Sequence, residues 1–182
     1  MEQKDEKYYI SRIQNGHTED FSVLVDDYSR PLYLLIVQIV DCPEDAEEVL
    51  QDVLLKAFRS LNSYKGDCKF STWLYRIAYN TAISAIRKKK QEFLYIDENT
   101  INNVPDERVD DIMSPSDGEE RVIRLSQAIN RLSGEEKALI TLFYYEEKSM
   151  DEIGEVLKLT LSNVKVKLHR TRKKIYVLMN EK

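Results

Sequence analysis

The strongest structural signal in the sequence is the three- and four-residue spacing of its apolar residues. One such stretch runs from Ala46 to Leu61, and a second runs from Leu74 to Ala85. This period places the apolar side chains on one face of a helix, and no alternating strand pattern competes with it. Glycine (5) and proline (4) are scarce, which argues against a turn-dense β architecture. The sequence therefore predicts an all-α fold.

Start signals place the helices of the C-terminal part. Ser133 with Glu136 and Ser149 with Glu152 each match the capping box, which predicts helices that begin near residues 134 and 150. The second helix is short, and Thr160 can cap a longer one that begins at residue 161. Two helices joined by about three residues form a helix-turn-helix. In the N-terminal part, Pro43 marks a further helix start, since proline fits the first helical position.

Charge divides the chain into three parts. The formal balance is −1 over residues 1–90, −9 over residues 91–120 and +5 over residues 121–182. The middle part contains Pro105 and Pro115 and shows no sustained period, which predicts an acidic flexible linker between two small helical domains. The basic C-terminal part favours a nucleic-acid partner, although a charged linker between two solvated domains would give the same balances.

The helix predicted over residues 161–179 has two different faces. Its apolar face begins with Leu161 and would pack on the short preceding helix. From residue 158 to residue 174 the chain has seven Lys or Arg and no Asp or Glu. A surface of one sign repels itself unless a polyanion lies against it, so DNA binding is favoured over an ordinary basic surface helix. Small polar and cationic residues fit base edges and phosphates in the major groove. These candidates are Ser162, Asn163, Lys165, Val166, Lys167, His169, Arg170 and Lys173.

The helix predicted over residues 43–61 carries acidic residues opposite its apolar face. The candidates for binding are Asp45, Glu48, Gln51, Asp52 and Leu55. Acidic residues around an exposed leucine fit a protein partner with basic residues and an apolar pocket. A solvated acidic face with one incidental leucine explains the pattern equally well.

Aromatic and cationic residues alternate from Tyr64 through the helix that follows. Rings can stack on unpaired bases while cations hold phosphates. The candidates are Tyr64, Lys65, Lys69, Phe70, Arg76, Asn80 and Arg87, and Ile83 is also predicted to point outward. Trp73 and Tyr75 lie at the edges of the apolar face, where packing is the commoner role.

Three stretches, in this order, resemble the extracytoplasmic-function (ECF) sigma factors of bacterial RNA polymerase. DAEEVLQDVLLKAFRSL is similar to the family's core-polymerase-binding segment, and FSTWLYRIAYNTAISAIRKK to its promoter-melting and −10-reading helix. LSGEEKALITLFYYEEKSMDEIGEVLKLTLSNVKVKLHRTRKKI is similar to the −35-reading domain. The resemblance covers nearly the whole chain. It implies a sigma region 2 domain over residues 1–90 and a sigma region 4 domain over residues 121–182, joined by the linker.

The resemblance also implies a role for each surface. The acidic helix would dock on core RNA polymerase, at the clamp helices of the largest subunit, and the polymerase flap is a further expected contact. The Tyr64–Phe70 loop would capture a flipped −10 base, while Arg76, Asn80 and Arg87 hold the melted strand. The C-terminal candidates would read the −35 duplex of the promoter, and the linker would thread channels that later carry RNA. An anti-sigma factor is an expected partner.

Two positions depart from simple expectations. Lys158 stands where the family usually has a turn glycine, and a left-handed backbone there would cost about 1 kcal/mol or more. Gly154 lies inside a short helix, where glycine is unfavourable, and a close crossing by the next helix would explain it.

Two other functional classes remain to be weighed. A stand-alone, LuxR-like helix-turn-helix regulator would explain residues 121–182 and would bind duplex DNA without polymerase, as a dimer on a palindromic site. It would leave the acidic helix and the aromatic-cationic helix without a role. A nucleic-acid enzyme is disfavoured, because the two histidines form no metal-ligand spacing and no glycine-rich phosphate loop is present. No catalytic residue, metal or cofactor is predicted.

The sequence also carries signals of cellular location. Cys42 and Cys68 cannot form a disulfide scaffold and are expected to be reduced thiols. No signal peptide or membrane-spanning run is recognised, so a cytoplasmic protein is expected.

Overall fold

The chain forms two compact helical units, Met1–Lys88 and Lys89–Lys182. The computed structural model describes residues 3–88, 98–106 and 118–181. All the regular structure in these ranges is helical, which confirms the predicted all-α fold with two helical domains. No helix in these ranges is both long and apolar enough to cross a bilayer.

The first unit contains four helices: α1 (Gln3–Gln14), α2 (Phe21–Val40), α3 (Pro43–Ser60) and α4 (Phe70–Lys88). Helices α2, α3 and α4 pack on one another, and α1 packs on α2. Burying these apolar faces supplies most of the stabilisation of such a bundle. The side chains at its centre are fully buried and include Leu32, Leu35, Ile36, Ile39, Ala46, Val53, Ala57, Ala78 and Ala82.

Two positions in this unit differ from the sequence-based expectation. Ile83 was predicted to point outward but is 6% exposed, because α4 packs on both α2 and α3 and therefore buries a broad face. Phe58 belongs to the apolar spacing from Ala46 to Leu61, which predicts a buried position, but it is 39% exposed. It lies in the last turn of α3, where its ring meets the edge of Phe21 at the start of α2, with centroids 5.1 Å apart.

The second unit is arranged around its last helix. It contains α5 (Glu98–Asn102), α6 (Glu119–Asn130), α7 (Gly134–Ile140), α8 (Met150–Leu157) and α9 (Leu161–Asn180). A five-residue π-helical turn follows α7 directly. Helix α9 packs on the other four, so the helix with the cationic face is also the centre of this unit.

The predicted helix starts in this unit are confirmed. Ser133 and Glu136 form a complete capping box at the start of α7, and Ser149 and Glu152 form another at the start of α8. The Thr160 side chain accepts a hydrogen bond from a backbone amide in the first turn of α9. Each cap satisfies amides that would otherwise lack partners, so these short helices begin at defined residues.

Helix α5 lies inside the predicted linker. It packs on α9, and Val104, two residues beyond it, is only 7% exposed. A five-residue helix is too short to show a hydrophobic period, so the sequence pattern did not reveal it. Residues 91–97 and 107–117 of the predicted linker lie outside the described residues, and its last two residues, Glu119 and Glu120, begin α6. The domain boundaries at residues 90 and 121 stay a prediction.

Candidate nucleic-acid and protein-binding surfaces

Helices α8 and α9 form the predicted helix-turn-helix. Lys158 ends α8 in the left-handed conformation, with φ 57° and ψ 47°. The next residue, Leu159, donates its backbone amide to the carbonyl of Gly154 at 2.9 Å. A Cβ at Gly154 would lie 2.8 Å from the carbonyl oxygen of Leu159 but 3.8 Å from Val164 of α9. The turn therefore requires the glycine, whereas a close crossing by α9 was expected.

The outer face of α9 is exposed along its first three turns. Ser162, Asn163, Lys165, Val166, Lys167 and Arg170 are all exposed, as predicted. Val166 is 54% exposed, so an aliphatic side chain stands among polar neighbours, as suits contact with a thymine methyl group. Leu161 was predicted to pack but is 42% exposed, because the first residue of α9 lies at the edge of the unit.

Acidic residues from other segments contact the cations of α9. Lys167 Nζ lies 3.1 Å from an oxygen of Glu135 in α7. Asp106 places one carboxylate oxygen 3.1 Å from His169 Nε2 and 2.7 Å from Lys173 Nζ. The side chain of Lys173 is only 13% exposed. Sequence reasoning missed Asp106, because 63 residues separate it from His169.

The Tyr64–Phe70 loop is built on an aromatic cluster. Phe70 is 1% exposed and stacks on Trp73, with centroids 5.5 Å apart. The ring of Tyr64 lies 5.4 Å from each of these two rings, and its hydroxyl donates to the carbonyl of Cys68 at 2.7 Å. Burial raises the pKa of Tyr64, so its hydroxyl stays protonated as a donor. Phe70 therefore supports the loop from below and is not available at its surface.

The aromatic residues left open by the sequence belong to the core. Trp73 is 7% exposed and Tyr75 is 2% exposed. The surface of the loop itself is cationic, because Lys65 and Lys69 are both exposed. The surface of the loop is therefore formed by its exposed residues and by Tyr64, which is half-buried.

Helix α1 lies beside the Tyr64–Phe70 loop, and the two line a common cavity. Gln14 donates its side-chain amide to the carbonyls of Leu61, at 3.0 Å, and Tyr64, at 3.1 Å. Lys7 and Ser11 of the same helix face the loop across an open cavity of about 620 Å³. Its volume lies within the range of small-molecule sites, although the cavity is open to solvent. Sequence reasoning missed these residues, because their contacts join positions far apart in the chain.

The outward residues of α4 continue from this loop along one side of the helix. Arg76, Asn80 and Arg87 lie within about 40° of one another around the helix axis. Asn80 and Arg87 are exposed, and Arg76 is half-buried. Asn80 donates its side-chain amide to the backbone carbonyl of Arg76 at 2.7 Å. The three candidate residues therefore lie on one side of α4.

The outer face of α3 is acidic with an apolar centre. Glu48, Gln51 and Asp52 are exposed, and Leu55 is 51% exposed, while Asp45 is half-buried. Phe58 follows Leu55 by three residues and extends the apolar patch. This second exposed apolar side chain favours a protein-binding surface over an incidental leucine.

The described residues offer no evident metal centre. Within residues 3–88, 98–106 and 118–181, no group of three or more His, Cys, Asp or Glu is arranged to hold an ion. Neither Cys42 nor Cys68 is in a disulfide. The thiol of Cys42 lies 3.1 Å from a carboxylate oxygen of Glu44, and this hydrogen bond lowers the pKa of Glu44.

Comparisons with known proteins match both units. The family model for Sigma-70 region 2 matches residues 24–92, and the model for Sigma-70, region 4 matches residues 123–175. The ECF RNA polymerase sigma factor SigW of Bacillus subtilis (strain 168) is 32% identical over 173 residues, which cover 91% of this chain and 92% of the relative. The RNA polymerase sigma-H factor of Pseudomonas aeruginosa is 29% identical over 181 residues, which cover 96% and 94%.

Solved structures share the fold. The sigma factor RpoE of Bartonella quintana, in complex with the anti-sigma factor NepR, aligns with a TM-score of 0.63 at 19% identity over 88% of this chain and 96% of that one. CnrH, in complex with the cytosolic domain of CnrY, aligns with a TM-score of 0.61 at 20% identity over 95% and 96%.

Proposed function

The chain belongs to the extracytoplasmic-function (ECF) family of RNA polymerase sigma factors, and we propose that its three exposed surfaces divide the work of promoter recognition. As a sigma factor it directs transcription initiation. The proposal concerns which residues bind polymerase, which hold the melted strand and which bind duplex DNA. The observation that carries it is that one chain combines the acidic-apolar face of α3 with the cationic face of α9.

The face of α3 is the proposed core-polymerase site. Asp45, Glu48, Gln51 and Asp52 would meet basic residues of the clamp helices, and Leu55 would enter an apolar pocket between them. Charge complementarity accelerates association and sets orientation, whereas the buried leucine supplies affinity. Phe58 extends this patch and would contribute in the same way.

The loop and α1 form the proposed site for a −10 base. A base that leaves the duplex loses stacking, and the protein must replace it. The cavity between α1 and Tyr64–Phe70 can enclose a base, while Lys65 and Lys69 hold the neighbouring phosphates. Arg76, Asn80 and Arg87 then guide the melted strand along α4.

Helix α9 is the proposed reader of the −35 duplex. Its N-terminal residues Ser162, Asn163 and Val166 would contact base edges, since the start of a recognition helix enters the major groove. Lys165, Lys167 and Arg170 would contact phosphates, which fix register without reading sequence. His169 and Lys173 lie further along the same face, where Asp106 also lies.

Partners and location follow from the family. Core RNA polymerase and promoter DNA are the proposed partners, and the polymerase flap is the proposed contact of the second unit. The two solved relatives are each bound to a second protein, which supports an anti-sigma factor as a further partner. We place the chain in the cytoplasm with the polymerase and assign it no chemistry of its own, so nucleotide addition belongs to the polymerase.

A gel-shift experiment tests the proposal against the rival LuxR-like regulator. Genomic fragments are incubated with the chain alone, with core polymerase alone and with both. We expect discrete promoter complexes only when both are present. Tight, sequence-specific binding of a dimer without polymerase would instead support the stand-alone regulator.

A further inference from the structure

A short segment before the second domain lies against the recognition helix. Helix α5 packs on α9, and Val104 anchors the end of the segment with 7% exposure. Two residues later, a single carboxylate oxygen of Asp106 contacts both His169 Nε2, at 3.1 Å, and Lys173 Nζ, at 2.7 Å. The segment therefore reaches the outer face of α9 and ends in an anion.

The Asp106 carboxylate contacts two side chains of the proposed DNA-binding helix, His169 and Lys173. The stretch from residue 158 to residue 174 has seven cations and no acid of its own, so the anion beside His169 comes from another segment. A carboxylate and a phosphate both present oxygen acceptors to Lys and His. The two anions repel each other, and the one Nε2–H of His169 serves a single acceptor well, so they compete for these groups. Lys173 lowers the pKa of Asp106, which keeps this carboxylate ionised at neutral pH.

The contact between Asp106 and α9 is also weak enough to be broken by a competing anion. The side chain of Asp106 is 74% exposed, and exposed ion pairs are weak because water and salt screen them. The other acids that meet α9 differ, because Glu135 and Glu136 belong to α7, a capped helix that packs on α9. Among the described residues, the segment 98–106 is held on α9 by a five-residue helix, by Val104 and by the Asp106 contacts themselves.

We propose that residues 98–106 compete with DNA for the recognition helix, with Asp106 taking the place of a backbone phosphate at His169 and Lys173. The inference rests on the proposed role of α9. Duplex binding must displace Asp106 before Lys173 and His169 can contact phosphate, so the free chain binds DNA more weakly than its cationic face would allow. Anything that holds the segment elsewhere makes both side chains available.

Fluorescence anisotropy of the full chain tests this with a labelled, mixed-sequence duplex of about 25 base pairs at low salt. Phosphate contacts do not depend on sequence, so the promoter need not be known. The test variant is Asp106→Asn, and Glu119→Gln is the matched control, because it removes one exposed negative charge from the same unit. Val104→Ser is a second test variant, because it weakens the packing that holds residues 98–106 on α9. Circular dichroism checks that the second unit remains folded.

We expect Asp106→Asn and Val104→Ser to tighten duplex binding about three- to tenfold, as the loss of the weak contacts of Asp106 with Lys173 and His169 implies. Glu119→Gln should change it less than about twofold. The same substitution is also made in a chain that carries both His169→Ala and Lys173→Ala. There Asp106→Asn should raise duplex affinity no more than Glu119→Gln does, since the two partners of Asp106 are absent.

Two results overturn the inference alone. The first is binding by Asp106→Asn that equals binding by Glu119→Gln. The second is an advantage that persists in the doubly substituted background, because it would then be a general charge effect. If the unmodified chain and every variant fail to bind duplex even at low salt, the proposed role of α9 fails, and this inference fails with it.

Discussion

The hydroxyl of Tyr28 in α2 donates a hydrogen bond to the carboxylate of Glu6 in α1. Burial, followed by this hydrogen bond, raises the pKa of Tyr28 well above its usual range. The ring of Tyr28 also meets the edge of Phe70, with centroids 5.6 Å apart. The pair therefore joins α1, which forms one wall of the proposed base site, to the aromatic cluster beneath the loop.

This pair predicts a pH-dependent loss of stability at alkaline pH. An unfolded tyrosine ionises near pH 10, whereas folded Tyr28 stays protonated above that pH. The unfolded state then binds fewer protons than the native state, so the contribution of Tyr28 is complete below about pH 10 and is lost as pH rises further. Tyr28→Phe should lower the free energy of unfolding of the first unit by about 1–2 kcal/mol at pH 8. This difference should shrink between about pH 10 and 11.5.

The fluorescence of Trp73, the one tryptophan of the chain, follows the first unit during urea unfolding. Tyr145→Phe is the control, since Tyr145 lies in the second unit and is 66% exposed. A stability difference between the unmodified chain and Tyr28→Phe that stays constant to pH 11.5 would contradict the assignment.

Gln14 is predicted to position the Tyr64–Phe70 loop. Gln14→Ala removes both hydrogen bonds to the carbonyls of Leu61 and Tyr64, so the start of the loop should lose its fixed geometry. We expect the complex with core polymerase to bind a premelted promoter fragment about three- to tenfold more weakly, with core binding unchanged. Asn15→Ala is the control, because the Asn15 amide donates only to Ser11 within its own segment, at 2.8 Å. Equal effects of the two variants would remove Gln14 from this role.

Asp52→Lys is predicted to abolish most core binding. The change reverses a charge at the exposed centre of the α3 face and leaves the buried face intact. We expect affinity for purified core polymerase to fall at least about tenfold, as opposed charges become like charges. Glu47→Lys makes the same charge change about 140° around the helix and should have little effect. If both variants bind core equally well, α3 does not face the polymerase.

Lys158→Gly is predicted to stabilise the second unit. Lys158 adopts φ 57°, where a side chain costs free energy and glycine does not. The gain should be about 0.5–1 kcal/mol after the entropy that glycine adds to the unfolded state. Hydrogen exchange of the Leu159 amide, which bonds to Gly154, measures it. Lys158→Ala is the control and should show no slowing of exchange, and an equal slowing in both variants would refute the strain.

The features that the sequence predicted correctly depend on residues close together in the chain. Both capping boxes act within three residues, so Ser133 and Ser149 marked the starts of α7 and α8 correctly. The helical period predicted most of the exposed faces of α3 and α9, with Phe58 and Leu161 as the exceptions. Ile83 was placed on the wrong side of α4, because a period locates one apolar face and cannot tell how many neighbours a helix has.

The parts that sequence reasoning missed depend on contacts between distant residues. Gln14 meets carbonyls 47 and 50 positions away, and Asp106 meets His169 across 63 positions. Every residue has a backbone carbonyl that can accept a hydrogen bond, so no pattern of side chains predicts which carbonyl becomes the partner. Phe70 was read as a surface aromatic for a related reason, because the rings that bury it come from three different segments.

In vitro transcription tests the central claim most directly. Core polymerase is supplied with a library of genomic fragments, with the chain, with Asp52→Lys or with neither, and the new transcript starts are mapped. We predict a defined set of starts that requires the unmodified chain and is lost with Asp52→Lys. The same starts with and without the chain, at concentrations that saturate core polymerase, would contradict the account.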